Sequence, residues 1–76
     1  MPRFYFDIHK GPELIPDPDG FETDSLEAAE RQATQTAIEL GQAWLSSARL
    51  VRVRVRDEQG RSRLNLSIVL TVERLG

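Results

Sequence analysis

From Leu50 to Leu75 apolar and polar positions alternate with a period of two. Val51, Val53 and Val55 are separated by Arg52, Arg54 and Arg56; after a polar break, Leu64, Leu66, Ile68, Leu70 and Val72 are separated by Asn65, Ser67, Val69, Thr71 and Glu73. A strand turns successive side chains to opposite faces, so both runs read as strands of one amphipathic hairpin. Asp57-Glu58-Gln59-Gly60 reads as its turn, with Gly60 at the left-handed position that a type I turn with a bulge requires. Pairing Asp57 with Gly60 sets Val53 opposite Leu64 and Val51 opposite Leu66, which matches the apolar faces. It also sets Arg54 against Arg63 and Arg56 against Arg61. Like charges directly opposite cost roughly 0.2 to 1 kcal/mol each, so an acidic group is expected close by.

Arg3 to His9 alternates in the same way, which predicts a strand with Phe4, Phe6 and Ile8 inward and Arg3, Tyr5, Asp7 and His9 outward. Lys10-Gly11-Pro12 ends it. Between Glu13 and Thr23 the prolines Pro12, Pro16 and Pro18 lack amide donors and leave room only for a short edge strand, near Leu14-Ile15 or Gly20 to Glu22, with Phe21 folded back into the core. The period then lengthens. Leu26, Ala29, Ala33, Ala37, Leu40 and Trp44 fall within an arc of roughly 80° at about 100° per residue, which is one buried helical stripe. Asp24 as N-cap with Glu27 three residues on reads as a capping box, and the helix is expected to fade near Ser46-Ser47. Gly41 counts against the helix, since an interior glycine costs about 1 kcal/mol.

The order strand, weak strand, helix, strand, strand predicts a two-layer α+β domain over residues 1–76, one helix packed on a three- or four-stranded, mainly antiparallel sheet. The long last strand, Leu64 to Val72, is the expected centre. No cysteine is present among the 76 residues, which removes disulfides and thiolate metal ligands. No signal-like leader and no apolar run of membrane-spanning length occurs, so the reading is a cytoplasmic protein without membrane contact. The net charge of −2 hides an asymmetry: residues 1–48 set Arg3, Lys10 and Arg31 against nine carboxylates, a balance of −6, while residues 49–63 set six arginines against Asp57 and Glu58, a balance of +4. One end can neutralise the other, within a subunit or between two.

Several segments together carry a resemblance. Pro2-Arg3-Phe4-Tyr5-Phe6-Asp7-Ile8-His9, Gly11, Leu14-Ile15-Pro16-Asp17, Gly20, Ser25-Leu26-Glu27-Ala28-Ala29 and Val55-Arg56-Asp57-Glu58 with Gly60 resemble a family of short alpha-proteobacterial proteins grouped only as a domain of unknown function. Lys10-Gly11-Pro12 departs from that family's more acidic, glycine-rich turn. The family has no assigned activity, so the resemblance implies no catalytic, cofactor or metal residue. Asp19-Gly20 followed by Leu26-Glu27-Ala28-Ala29 also has the cadence of HicB-type antitoxin domains, which the capping pattern explains without kinship.

Candidate chemistry is sparse. Arg52, Arg54, Arg56, Arg61 and Arg63, with Tyr5 beside them, form the one surface suited to phosphates or single-stranded nucleic acid. An acidic total charge favours the plainer alternative, a solvated hairpin face whose arginines meet acids elsewhere in the chain. Asp7 and His9 share a face at a spacing that lets a carboxylate orient an imidazole; catalysis needs a nucleophile or metal besides, for which Ser67 and Thr71 are the candidate hydroxyls, and nothing in the sequence places either beside them. Asp17, Asp19, Glu22 and Asp24 do not complete a calcium loop. A core of roughly fifteen large apolar side chains is thin for an isolated domain. Ile38 and Leu45 on one helix flank and Val69 on the polar sheet face are then the candidate interface of a homodimer. The resulting expectation is a non-enzymatic, self-associating interaction module without cofactor, with nucleic-acid or phosphate binding as the alternative.

Overall fold

Each alternating run forms a strand, the last of them over only part of its length. In the computed structural model, which describes residues 1–76, the strands are β1 (Arg3–Lys10), β2 (Glu13–Ile15), β3 (Phe21–Glu22), β4 (Leu50–Arg56) and β5 (Ser62–Val69), with helix α1 (Leu26–Ala48) between β3 and β4. The sheet is antiparallel and ordered β2-β1-β4-β5; β3 joins β1 at the end that β2 leaves free. One helix on an open antiparallel sheet is the two-layer α+β architecture that the element order predicts, and both candidate weak strands form.

The centre of the sheet differs from expectation. β1 and β4 are central, and β5 is an edge strand. The buried helical stripe selects β4: Val51, Val53 and Val55 are all fully buried, whereas Leu64, Leu66 and Ile68 on β5 are only partly covered. Burying a valine side chain contributes about 1.5 to 3 kcal/mol, so three in one strand hold the helix over it.

The hairpin register also differs. Val55 faces Leu64, Val53 faces Leu66 and Val51 faces Ile68, two positions from the pairing that the turn suggested. The Gly60 amide donates to the Asp57 carbonyl and the Asp57 amide to the Arg61 carbonyl, so the loop takes in Arg61. A register shift beside Val55 and Arg56 then leaves Arg63 as an inserted residue. A slip of two keeps each side chain on its face, and the apolar match survives. The arginine pairings do not: Arg54 faces Asn65 and Arg56 faces Ser62.

The helix begins one residue later than the capping box implied. Ser25 has extended backbone and its Oγ accepts the Ala28 amide at 3.2 Å. Ala28 therefore holds the position from which Glu27 was expected to reach back, and Glu27 remains a first-turn carboxylate at the positive end of the dipole. The helix runs to Ala48 and stops at Arg49, left-handed at φ 65°, whose amide bonds the Leu45 carbonyl. Ala29, Ala33, Ala37 and Gly41 form its buried line. Gly41 sits in a tight place: a Cβ would stand 3.2 Å from Ile68 Cγ2 and 3.3 Å from Leu45 Cδ1. Leu26, Leu40 and Trp44 are half-buried around that line, and Phe21 packs edge-on against Phe6 with centroids 4.6 Å apart.

β5 ends at Val69, short of the strand pattern in the sequence, because β4 begins at Leu50 and no partner remains. One further bond, from the Leu70 amide to the Arg49 carbonyl, closes the ladder. Beyond it Leu70, Val72 and Leu75 are 38%, 64% and 85% exposed. No helix is long and apolar enough to cross a membrane.

Candidate functional site

Strand alternation puts Arg52, Arg54 and Arg56 on the sheet face away from α1, opposite His9, Asp7 and Tyr5 of β1. The arginines do not share one fate. Arg56 donates Nε to Asp7 Oδ2 at 2.5 Å and Nη2 to Asp7 Oδ1 at 3.2 Å, while its guanidinium lies 4.9 Å from the centre of the Tyr5 ring. Arg61 Nε donates to Asp57 Oδ2 at 2.8 Å, and Arg63 Nη1 lies 3.5 Å from the same oxygen. Arg56, Arg61 and Arg63 are thus neutralised within the chain, by the acidic groups that the sequence required near them. Arg52 and Arg54 form no ion pair; Arg52 Nε makes one long contact of 3.4 Å to Ser67 Oγ.

Two aspartates organise this face, and their work was not read from the sequence. Asp17 accepts the amides of Phe6, Asp19 and Gly20 and sends its own amide to Asp7 Oδ1, which pins the loop between β2 and β3 onto β1. Asp57 accepts the amides of Gln59 and Arg61 inside the hairpin turn. The visible signal was a repeated Asp-x-x-Gly, in which an aspartate bonds amides two or more residues on and the glycine takes positive φ, 67° at Gly20 and 82° at Gly60. Gly20 is also needed for space, since a Cβ would meet the Phe4 carbonyl oxygen at 2.7 Å.

Electrostatics follow from these bonds. Burial raises the pKa of Asp7, but the Arg56 hydrogen bond, the Asp17 amide and the charges of Arg56 and Arg54 outweigh it and hold the carboxyl below its ordinary value. Burial likewise pushes Asp17 up, and the amides of Gly20, Phe6 and Asp19 bring it below the ordinary value. Asp57 is lowered too, with burial overcome by Arg61, through its amide and its guanidinium, and by the Gln59 amide. Arg56 is raised, chiefly by its bond to Asp7. The three aspartates serve as fixed anions that hold backbone and arginines in place.

The Asp7 and His9 pairing does not form. Asp7 is occupied by Arg56 and the Asp17 amide, and His9 Nε2 is buried without a hydrogen-bond partner. Asp17 is spent on amides and Glu22 pairs with Arg3 at 2.8 Å; no group of three or more His, Cys, Asp or Glu is placed to hold a metal ion. The candidate interface residues are split between the two faces of the sheet: Ile38 and Leu45 stand on α1, and Val69 has the parity of the face away from it. Ile38 is 44% exposed and Val69 64%, while Leu45 is half-buried and crowds Gly41 together with Ile68 of β5. A shallow cavity of about 270 Å³ at the opposite edge is lined by Lys10, Gly11, Pro12, Glu13, Ser47 and Ala48.

Fold and site together define a small α+β domain whose polar face is built from carboxylate-pinned arginines and amides, with its open surface on the β4 and β5 side. The chain belongs to the family described as Domain of unknown function (DUF6894), whose model spans residues 3–73. Neither the curated proteins nor the solved structures give a match.

Proposed function

We propose that this domain is a non-enzymatic interaction module of the bacterial cytoplasm that associates with a second copy of itself. The observation that carries the reading is the β5 edge from Leu64 to Val69, which no strand covers and which runs regularly beyond the bulge at Arg63. Sheet edges are normally blunted by charge, proline or brevity. β2 and β3 are short, but β5 is eight residues long, Ser-Arg-Leu-Asn-Leu-Ser-Ile-Val, with one charge and no proline. Its own Val69 is exposed, its Leu64, Leu66 and Ile68 are only partly covered, and Ile38 of α1 is exposed as well. Sedimentation velocity over a concentration series tests the proposal: the sedimentation coefficient rises with concentration toward that of a dimer. A strictly monomeric protein at every concentration refutes it.

A second reading rests on Arg52 and Arg54, which form no ion pair. They suit a phosphate-bearing ligand or single-stranded nucleic acid laid across β4. Arg52→Ala with Arg54→Ala abolishes retention on heparin at modest salt, and affinity for a nucleic acid falls steeply as salt rises. Flat salt dependence removes this reading.

A further inference from the structure

The chain beyond β5 keeps the alternation of a strand but has no strand beside it. We propose that the second copy supplies one: two β5 edges pair antiparallel about a two-fold axis at Ile68, so that residues 70–72 of each copy lie along residues 64–66 of the other and Glu73 reaches Arg63, the inserted residue at the bulge. The proposal rests on the self-association proposed above and adds its geometry.

Three observations converge on it. First, Leu70 still donates its amide to Arg49, on the β4 side. Strand groups alternate sides, so the amides and carbonyls of Asn65, Ser67 and Val69 point to the open edge, where an antiparallel partner would take them. Second, apart from Val69 and Leu75 the apolar positions of β5 and of the segment after it, Leu64, Leu66, Ile68, Leu70 and Val72, are of one parity. A two-fold axis through a residue joins like parity to like. An axis at Ile68 sets exposed Leu70 and Val72 against the partly covered Leu66 and Leu64 of the partner, extending the face beneath the partner's helix. Third, charge selects among the registers that parity allows. With the axis at Ile68, Glu73 meets Arg63 on both sides of the dimer. An axis at Ser67 sends Glu73 to Arg61, already bound to Asp57 at 2.8 Å, and an axis at Val69 sends it to Asn65. Arg63 retains a 40% exposed side chain and a longer, 3.5 Å contact to Asp57, so its guanidinium is available to both carboxylates.

The same axis accounts for the helix flank. Leu45 and Ile68 both crowd Gly41, Trp44 on the other flank of the helix meets Lys10 of β1, and Ile38, about two turns before Leu45, shares its flank. Leu45 and Ile38 then line the seam between the two helices, which fall on one face of a continuous sheet.

Cysteine cross-linking reads the register directly, because the chain contains no cysteine of its own and Ser67 and Val69 are both exposed. Opposed Cα atoms across an antiparallel pair lie about 4.5 to 5.5 Å apart, within disulfide range. With the axis at Ile68, Ser67 of one copy faces Val69 of the other. An equal mixture of Ser67→Cys and Val69→Cys therefore gives covalent dimer under mild oxidation, several-fold more than either variant alone. Preferential linking of Ser67→Cys alone, or of Val69→Cys alone, overturns the register. A second variant leaves the β5 residues untouched: Thr71 makes no hydrogen bond within the chain, and Thr71→Pro removes an amide directed at the partner. Its far-UV circular dichroism stays as in the wild type while dimer affinity falls roughly tenfold to a hundredfold, one or more strand bonds being lost on each side of the axis. A dimer by sedimentation that neither cross-links nor responds to Thr71→Pro overturns the strand pairing and leaves self-association standing. A monomer at all concentrations overturns both.

Discussion

Asp7→Asn isolates the contact that joins the loop before β3, the first strand and the arginine face. The substitution keeps the shape but replaces a carboxylate that takes two bonds from Arg56 and one from the Asp17 amide with an amide that turns either a donor or a weaker acceptor toward the guanidinium. Side-chain exposure is 8% for Asp7 and 27% for Arg56. Breaking a fully buried pair costs about 3 to 5 kcal/mol, but a partly exposed Arg56 recovers water, so the loss is about 2 kcal/mol, within the range of a charged hydrogen bond. For a domain of 76 residues that lowers the thermal midpoint at pH 7 by about 8 to 16 °C. The pH dependence carries the sharper test. The folded-state pKa of Asp7 lies below the ordinary 3.8, so its stabilisation is fully present above 3.8 and is lost as pH falls through the lowered folded value. The gap between wild type and variant, full at pH 7, closes on acidification because both proteins then lack the anion. Thermal unfolding followed by circular dichroism, at fixed protein concentration and a series of pH values, measures it. Equal midpoints at pH 7, or a gap that pH does not change, would refute the assignment of Asp7 as the ionised centre of this face.

The capping assignment has its own test: Ser25→Ala costs about 0.5 to 2 kcal/mol in urea unfolding, while Asp24→Ala costs less than about 0.5 kcal/mol, and the reverse order would restore the capping box. Gly41→Leu costs about 1 to 3 kcal/mol despite leucine's better helix propensity, because even its Cβ meets Ile68 Cγ2 at 3.2 Å; a stabilised variant would mean that α1 does not press on β5.

What was legible in the sequence was whatever depends on parity and period. Val51, Val53 and Val55 had to share a face, and so did Ala29, Ala33 and Ala37, whichever residues paired or capped. The hairpin register slipped by two and changed no face, which is why the apolar match between Val53 and its partner survived an incorrect partner. What was not legible depends on which of several equal contacts a backbone completes. Asp24 and Ser25 are both good caps, and the choice went to the residue with extended backbone at the helix start. Leu64 to Val72 outruns Leu50 to Arg56 in length, yet β4 took the centre because β1 and β5 could each pair with it while α1 covered its valines. Asp17 reads as an ordinary turn residue, and its bond to Phe6 spans 11 residues, a distance that local turn chemistry does not encode.

The two proposed uses of this surface are not rivals, because the fold leaves them contiguous. The loop pinned by Asp17 covers the polar face over β1, and α1 covers the other face; the uncovered part is the outer side of β4 and β5, with Arg52 and Arg54, and the β5 edge beside it. Pairing two edges would place the two β4 strands three strand spacings apart, about 14 Å at about 4.8 Å each, longer than the Debye length of about 8 Å at physiological salt. The paired arginines of the two copies would then scarcely repel one another, yet a polyanion longer than that gap would touch both. Dimerisation would then strengthen anion binding without new contacts, through effective concentration. Thr71→Pro, which leaves every arginine in place, would then weaken heparin retention together with the dimer. If retention survives the loss of the dimer unchanged, Arg52 and Arg54 act within one copy, and the paired edge serves assembly alone.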